Sequence, residues 1–555
     1  MMKASALKAL AIKINILFLA FIILIYISII LQPPYPFDDK SASPFSQCHN
    51  SGVCDVDKMG GGRVEDQIKL PSFQSVFKDK RIGLVNAGDS EMIKWNSMGK
   101  MISVIKFDKV SEKLEWKELF PEWIDEEEQN ETPECPKIPM PDFGVYDELD
   151  VVVASVPCRR PEIGWSRDMQ RLQVHLVAAN LALRRAVRDK RGRVKMVFVS
   201  ACMPMTEVFK CDDLVKREGE WWLYEVEVER LGEKMALPVG SCKLALPLWQ
   251  EGTNKAPANF LRREAYATVL HSSDIYVCGA ITLAQSLINT GTNRDLLLLH
   301  DHSIPPPKLR ALATAGWTLV PIGRIRNPFA AKNSYNEYNY SKLRLWQLTN
   351  YDKLIFLDSD ILVLRNLDLL FRFPELSAAG NDGYIFNSGV MVIEPSNCTF
   401  NRFMKQIKEV VSYNGGDQGF LNEAFPWWHR LPRKVNFLKN FWSNTTEEMT
   451  EKNRLFKAEP PELYVIHYLG LKPWLCYRDY DCNWNVGDQR VYASDPAHRR
   501  WWKVYDGMKS ELQKFCGLSK RRNWELRKEM KKARESGFGD GHWRLRILDT
   551  RVNEI

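Results

Sequence analysis

Two aspartates, Asp358 and Asp360, stand one residue apart between the apolar runs Lys353-Leu-Ile-Phe-Leu and Ile361-Leu-Val-Leu. Carboxylates between two buried runs face a desolvation cost unless both charges are compensated. A hard divalent cation does this, because Mg2+ or Mn2+ prefers carboxylate oxygens and readily shares its shell with phosphate oxygens. An isolated D-x-D also suits an ordinary surface turn. Here Asp358-Ser359-Asp360 follows directly on a strand of buried type, and that placement favours the metal.

Three more segments carry polar groups in the same phase, each beside an apolar run. Phe386-Asn387-Ser388-Gly389 puts a small amide and a glycine ahead of the run Val-Met-Val-Ile, an arrangement that suits close backbone approach to a sugar hydroxyl. Asn414-Gly415-Gly416-Asp417-Gln418-Gly419 reads as a glycine-rich turn opening a helix, with Asp417 and Gln418 in its first turn. Leu463-Tyr-Val-Ile-His467 reads as a strand ending on a histidine, followed by Gly470 and Lys472. His467 offers a neutral nitrogen ligand and Lys472 a point charge for phosphate. Alone, His467 also fits a satisfied core histidine; with the other segments it completes a metal set of Asp358, Asp360 and His467.

The elements that must position these residues alternate between strand and helix. Strands are predicted at Asp274-Ile-Tyr-Val-Cys, Arg294 to His300 and Thr318-Leu-Val-Pro, with helices over 280–289 and 306–315. This rhythm predicts a parallel, doubly wound sheet whose ligands sit beyond the carboxyl ends of the strands. Upstream, Leu149 to Ser155, Lys195 to Ser200 and Trp221 to Val228 read as strands and 166–188 as a helix, an α/β accessory region over 146–262. The basic stretch from Lys520 to Arg534 reads as a solvated helix.

Length, composition and charge narrow the setting. At 555 residues the chain exceeds one compact core, and 45% apolar with 26% charged residues is ordinary for a globular protein. A net charge of +8 is mild over this length, and no basic stripe with interleaved aromatics occurs, so nucleic acid is not an expected partner. Residues 14–31 form an uncharged, mainly apolar run preceded by Lys3, Lys8 and Lys13. As a helix it would span about 27 Å, which suits a bilayer. The flanking lysines place a cytosolic tail at 1–13 and the remainder in the lumen, beginning with a stem over 32–145. All 12 cysteines follow the run, an even set that permits disulfides, with Cys48–Cys54 and Cys476–Cys482 as local pairs. Sequons at Asn130, Asn339, Asn397 and Asn444 fit a secretory route.

The stretch from Ala280 to Trp474 resembles the glycogenin-like glycosyltransferases of family 8. The resemblance rests on Ser341-Lys-Leu-Arg-Leu-Trp, Phe356-Leu-Asp-Ser-Asp-Ile-Leu-Val-Leu, Phe386-Asn-Ser-Gly-Val, Gly415-Gly-Asp-Gln-Gly and His467-Tyr-Leu-Gly-Leu-Lys-Pro-Trp. It implies a GT-A nucleotide-diphospho-sugar transferase fold over 263–475, followed by a C-terminal extension over 476–555. The anchor, the long N-terminal region and the tail Tyr477-Arg-Asp-Tyr-Asp-Cys-Asn-Trp-Asn are similar to the plant branch of that family, which adds glucuronic acid from UDP-glucuronate to xylan in the Golgi. A retaining, Mn2+-dependent enzyme on a single-pass type II Golgi membrane anchor is what this implies.

Carried over residue by residue, Asp358, Asp360 and His467 would hold Mn2+ and Lys342 would act near the reaction centre. Asn387, Ser388 and Gly389 would hold the sugar, Asp417 and Gln418 would lie beneath the anomeric carbon, and Lys472 would neutralise the departing diphosphate. Asn414 stands where glycogenin has an acid. Losing that charge favours a donor that carries its own carboxylate, because like charges repel in a dry site. Which cation reads that carboxylate stays open among Lys342, Arg344 and Arg324. Two other functions also stay open: a self-glucosylating glucan primer using Tyr335, Tyr338 or Tyr340, and an inactive xylan-binding scaffold.

Overall fold

A computed structural model describes residues 70–88, 95, 98–121, 134–158, 167–245, 262–382, 384–442 and 445–552. The tail and anchor over 1–31, Cys48–Cys54, and the sequons at Asn130 and Asn444 lie outside the described residues. No helix among the described residues is long and apolar enough to cross a membrane. Residues 70–555 form a single compact unit.

The first sheet has the order β2-β1-β3-β4-β6-β5. Its strands are β1 (Arg81–Val85), β2 (Met101–Ile105), β3 (Val151–Ser155), β4 (Arg193–Val199), β5 (Leu214–Glu218) and β6 (Trp221–Glu227). β3, β4, β6 and the helix Met169–Arg185 lie where the sequence predicts them, because their apolar runs are short and β-branched or spaced for one helix face. β1 and β2, from the stretch read as stem, extend this sheet in parallel with β3.

The second sheet holds the predicted site and has the order β14-β12-β13-β10-β7-β8-β9. Its members are β7 (Glu264–Leu270), β8 (Asp295–His300), β9 (Thr318–Pro321), β10 (Lys353–Leu357), β12 (Ser377–Asp382), β13 (Ile385–Ile393) and β14 (His429–Leu431). The wholly parallel sheet expected from the sequence is corrected here. β10, β7, β8 and β9 run parallel, but β13 is antiparallel to both β10 and β12. The reason is that β13 starts at Ile385, directly after β12 ends at Asp382, and so short a connection can only reverse the chain. A second correction concerns Asp274 to Cys278, read as a strand. Val277 donates to the Asp274 carbonyl and opens the helix Val277–Asn289. The strand is the preceding Ala-Tyr-Ala-Thr-Val-Leu, whose alanines blunt the β signal.

A third, small sheet of β11 (Ile361–Val363), β16 (Val465–His467) and β15 (Phe437–Leu438) stands beside the carboxyl end of β10. Ile361 pairs with His467 across it, which brings the aspartate pair and the histidine into register. The C-terminal segment does not hang free. Trp501 and Trp502 of the helix Asp495–Asp506 share a core with the helix Val277–Asn289, and a Cys278–Cys516 disulfide ties the two regions. The expected Cys476–Cys482 pair is present. Cys135–Cys242, Cys158–Cys202 and Cys211–Cys398 complete the bridges among the described residues, and the last joins the first-sheet region to the helix Asn397–Gln406. The helix Lys520–Glu535 is largely solvated, as its charges predict.

Candidate active site

β10 is buried along its whole length and ends at Leu357, so the chain leaves the core on Asp358. The Asp358 amide donates to the Gly389 carbonyl, and Tyr468 donates to the Asp360 carbonyl, fixing both aspartates between β13 and β16. One ligand atom each from Asp358, Asp360 and His467 lies within 4.8 Å of the others. His467 Nε2 stands 3.4 Å from Asp360 Oδ1. Its Nδ1 meets Asn436 Oδ1 at 3.0 Å, and Asn436 Nδ2 donates to Asn387 Oδ1 at 2.9 Å. With a hydrogen on Nδ1 directed at Asn436, the imidazole, once neutral, presents its lone pair on Nε2. Two carboxylates and one imidazole suit a divalent ion of the Mg2+ or Mn2+ kind, so the residues present fit the predicted metal.

Two lysines balance the carboxylates. Lys472 Nζ is 2.7 Å from Asp360 Oδ2 and also donates to the Tyr468 carbonyl at 2.6 Å. Burial works against ionising Asp360, yet Lys472 and His467 outweigh it and hold its pKa well below the ordinary carboxylate value. Asp358 goes the other way: burial raises its pKa, and Lys342 offsets this only in part. Lys342 Nζ bridges Asp358 Oδ1 at 3.2 Å and Asp417 Oδ2 at 2.6 Å. Burial opposes its charge, but those two carboxylates raise its pKa above the usual lysine value and keep it an ammonium.

Asp417 opens the helix Asp417–Ala424, as predicted, and its carboxylate accepts from Ser388 Oγ at 3.1 Å and Asn339 Nδ2 at 3.3 Å. Gln418 Oε1 accepts from the Ser388 amide at 3.1 Å. Phe386 to Gly389 lie inside β13, not before it. Asn387 donates to Asn381 Oδ1, while its carbonyl accepts from Gly389 and Asn436, so its hydrogen bonds run behind the site toward His467. Asn414 Oδ1 holds the loop by accepting from Gly416 and Gly419 amides and Ser412 Oγ. Gly415 and Gly470 take left-handed φ of 65° and 73°, which a side chain resists.

The aspartates, Lys342, Ser388, Asn414, Gly416, Asp417 and Gln418 open onto one cavity of about 780 Å3. Ser359 also lines it, with its carbonyl against Gly279, where a Cβ would stand only 2.4 Å away. Tyr335 and Tyr338 line the cavity, whereas Tyr340 is wholly buried. Sequence reasoning missed Asn436, His271 and Tyr276. The first supports His467, and the other two line the cavity just after β7. Asn436 sits in no motif, so only its register beside β15 betrays it.

Residues 64–242 match the model of the GUX1-5 N-terminal domain, and residues 267–379 and 374–477 match that of glycosyl transferase family 8. The chain is 54% identical to UDP-glucuronate:xylan alpha-glucuronosyltransferase 2 of Arabidopsis thaliana, over 99% of this chain and 98% of that protein. The chain belongs to glycosyl transferase family 8. This family 8 chain is also 48% identical to UDP-glucuronate:xylan alpha-glucuronosyltransferase 1 of the same plant, over 86% of this chain and 73% of that one. Its identity to glycogenin-1 of Mus musculus is 32%, over 46% of this chain and 80% of that protein. It is a glycosyltransferase with an α/β fold.

At Gly389 an added atom would strike the imidazole of His467. A Cβ there would stand 2.5 Å from His467 Cε1 and 2.7 Å from its Nδ1. Gly389→Ala is therefore expected to push the imidazole off its Asn436 partner and weaken divalent-metal affinity about 10- to 100-fold. Mn2+ titration by calorimetry checks this, and unchanged affinity would show that His467 is not a ligand.

Proposed function

We propose that the chain transfers an α-glucuronosyl unit from UDP-glucuronate to a xylan backbone, with Mn2+ and with retention at the anomeric carbon. The observation that carries this reading is the end-to-end 54% identity to a protein named for that reaction. The cavity supports it, since Asp358 and Asp360, which with His467 could hold a divalent ion, line it beside Lys342 and Asp417. A hard cation held by Asp358, Asp360 and His467 would compensate the charge on a departing diphosphate. Lys472, fixed on Asp360 and the Tyr468 carbonyl, adds a second positive charge on that side. Lys342, buried between Asp358 and Asp417, holds both carboxylates at a fixed separation around the reacting carbon. Asp417 faces that carbon as a nucleophile or as a charge that steadies an oxocarbenium-like centre. Gln418 orients the Ser388 amide, and Asn436 with Asn387 keeps His467 in its metal-binding tautomer.

On this reading residues 14–31 anchor the enzyme in the Golgi membrane, with the cavity in the lumen. Full-length protein in detergent, incubated with Mn2+, xylohexaose and a panel of UDP-sugars, is expected to release UDP with UDP-glucuronate and to yield an acid-labelled oligosaccharide. Transfer confined to UDP-glucose, with mass added to the protein itself, would instead favour self-glucosylation at a tyrosine such as Tyr335. No UDP release with any donor would favour the scaffold reading.

A further inference from the structure

A glucuronosyl donor differs from a glucosyl donor by one carboxylate, so a site that prefers it needs a cation with unfilled donor valence. Among the described residues lining the cavity, the cations are Lys342 and Arg324. Lys342 is closed between Asp358 and Asp417. His271 also lines the cavity, but burial pushes its pKa down and leaves it uncharged. Arg344 is excluded by its position: it donates to the Gly323 carbonyl and to Gln347 Oε1 on an exposed face outside the cavity.

Arg324 is held from behind. Its Nε lies 3.2 Å from Asp301 Oδ2, a carboxylate whose side chain is wholly buried. Asp301 is itself braced by the Ser272 amide and by the amide and hydroxyl of Ser303. The guanidinium carbon sits 4.2 Å from the centre of the Tyr338 ring, a cation–π contact that restrains the group. Nη1 and Nη2 donate no hydrogen bond within the described residues, and about a quarter of the side chain, 27%, stays exposed. A planar fork with its back paired, its carbon over a tyrosine ring and its two end nitrogens free is the geometry that accepts a carboxylate by two parallel bonds. Arg324 lines the same cavity as Lys342 and Asp417, with His271 also in its wall.

We infer that Arg324 is the specificity-determining residue that binds the carboxylate of a uronosyl donor, an assignment that rests on the proposed glucuronosyl transfer. Asp301 and Tyr338 are its positioning residues.

The test compares UDP-glucuronate, UDP-glucose and UDP on full-length wild type, Arg324→Gln and Arg324→Lys. Arg324→Gln is expected to weaken UDP-glucuronate binding about 10- to 100-fold while UDP changes by less than about threefold, because only the carboxylate contact is lost. Arg324→Lys keeps a charge without the fork and is expected to fall between wild type and Gln. The ratio of UDP-glucuronate to UDP-glucose affinity, measured by calorimetry with Mn2+, is the deciding number. An unchanged ratio overturns the proposal. A parallel loss of UDP affinity also overturns it and makes Arg324 a phosphate contact. The thermal unfolding midpoint serves as the folding check, so affinities are compared only between folded proteins. A wild type that transfers only another sugar would overturn the functional reading separately, since the affinity ratio is measured without turnover.

Discussion

Asp360→Asn is expected to lower kcat/KM by about 1,000-fold or more and to abolish stimulation by divalent metal, because on the proposed reading it removes a charge that holds the cation. Asp360 is the better probe of the two aspartates. Its carboxylate is the point where His467 Nε2 and Lys472 Nζ converge, at 3.4 Å and 2.7 Å. Those partners hold it ionised against burial, whereas burial raises the pKa of Asp358. Asparagine keeps the shape and one oxygen but discards the charge, leaving Lys472 with the Tyr468 carbonyl alone. Losing one partner of a buried pair costs about 3–5 kcal/mol, so thermal unfolding must accompany the kinetics. A folded variant with no Mn2+ binding and no turnover fits the assignment. A folded variant whose metal-stimulated rate stays near wild type would sink the claim that this pair holds the metal.

How much of this was legible in the sequence depends on how local each contact is. Asp358 and Asp360 were readable because a fully apolar strand, Lys353 to Leu357, must end where charge begins. His467 was readable for the same reason at the end of β16, and Asp417 because Gly415 and Gly416 announce a turn into a helix. What was not readable is who stands behind them. Asn387 looked like a hydroxyl holder because it adjoins Ser388 and Gly389, yet in β13 successive side chains face opposite ways. Ser388 therefore turns toward Asp417, and Asn387 turns away, toward Asn436 and His467. The predicted start of β13 after Gly389 hid that alternation. Asn414 was read by its charge, and the structure adds that its carbonyl is engaged in its own loop. An aspartate there could keep those bonds and place its second oxygen where the amide now stands, so the charge argument against UDP-glucuronate keeps its physical basis. The sheet's mixed direction escaped because periodicity identifies strands and not which way they run.

Lys342→Met is expected to lower kcat/KM about 100- to 1,000-fold while leaving divalent-metal affinity undiminished, since the lost group acts on preorganised charge and is not itself a ligand. The two readouts separate because Lys342 touches the site at two places. Its 3.2 Å contact to Asp358 is one that a bound cation can replace, as both compensate the same carboxylate. Its 2.6 Å contact to Asp417 has no such substitute. Without it, among the described residues Asp417 keeps only the neutral donors Ser388 Oγ and Asn339 Nδ2 to fix its position. Methionine keeps most of the side-chain volume but removes the ammonium, which lies 4.6 Å from the centre of the Phe356 ring, so the variant tests the charge. Asp417→Asn is the paired experiment. It keeps one oxygen, which serves either Asn339 or Ser388, but cannot form a covalent glycosyl ester as a carboxylate would. Loss of turnover in both variants with normal Mn2+ binding places the Lys342–Asp417 pair at the reacting carbon. If Asp417→Asn turns over at near the wild-type rate, the nucleophile role is excluded and Asp417 is left as the anchor of Lys342. If Lys342→Met loses metal and turnover together, the ammonium is instead part of what shapes the metal site.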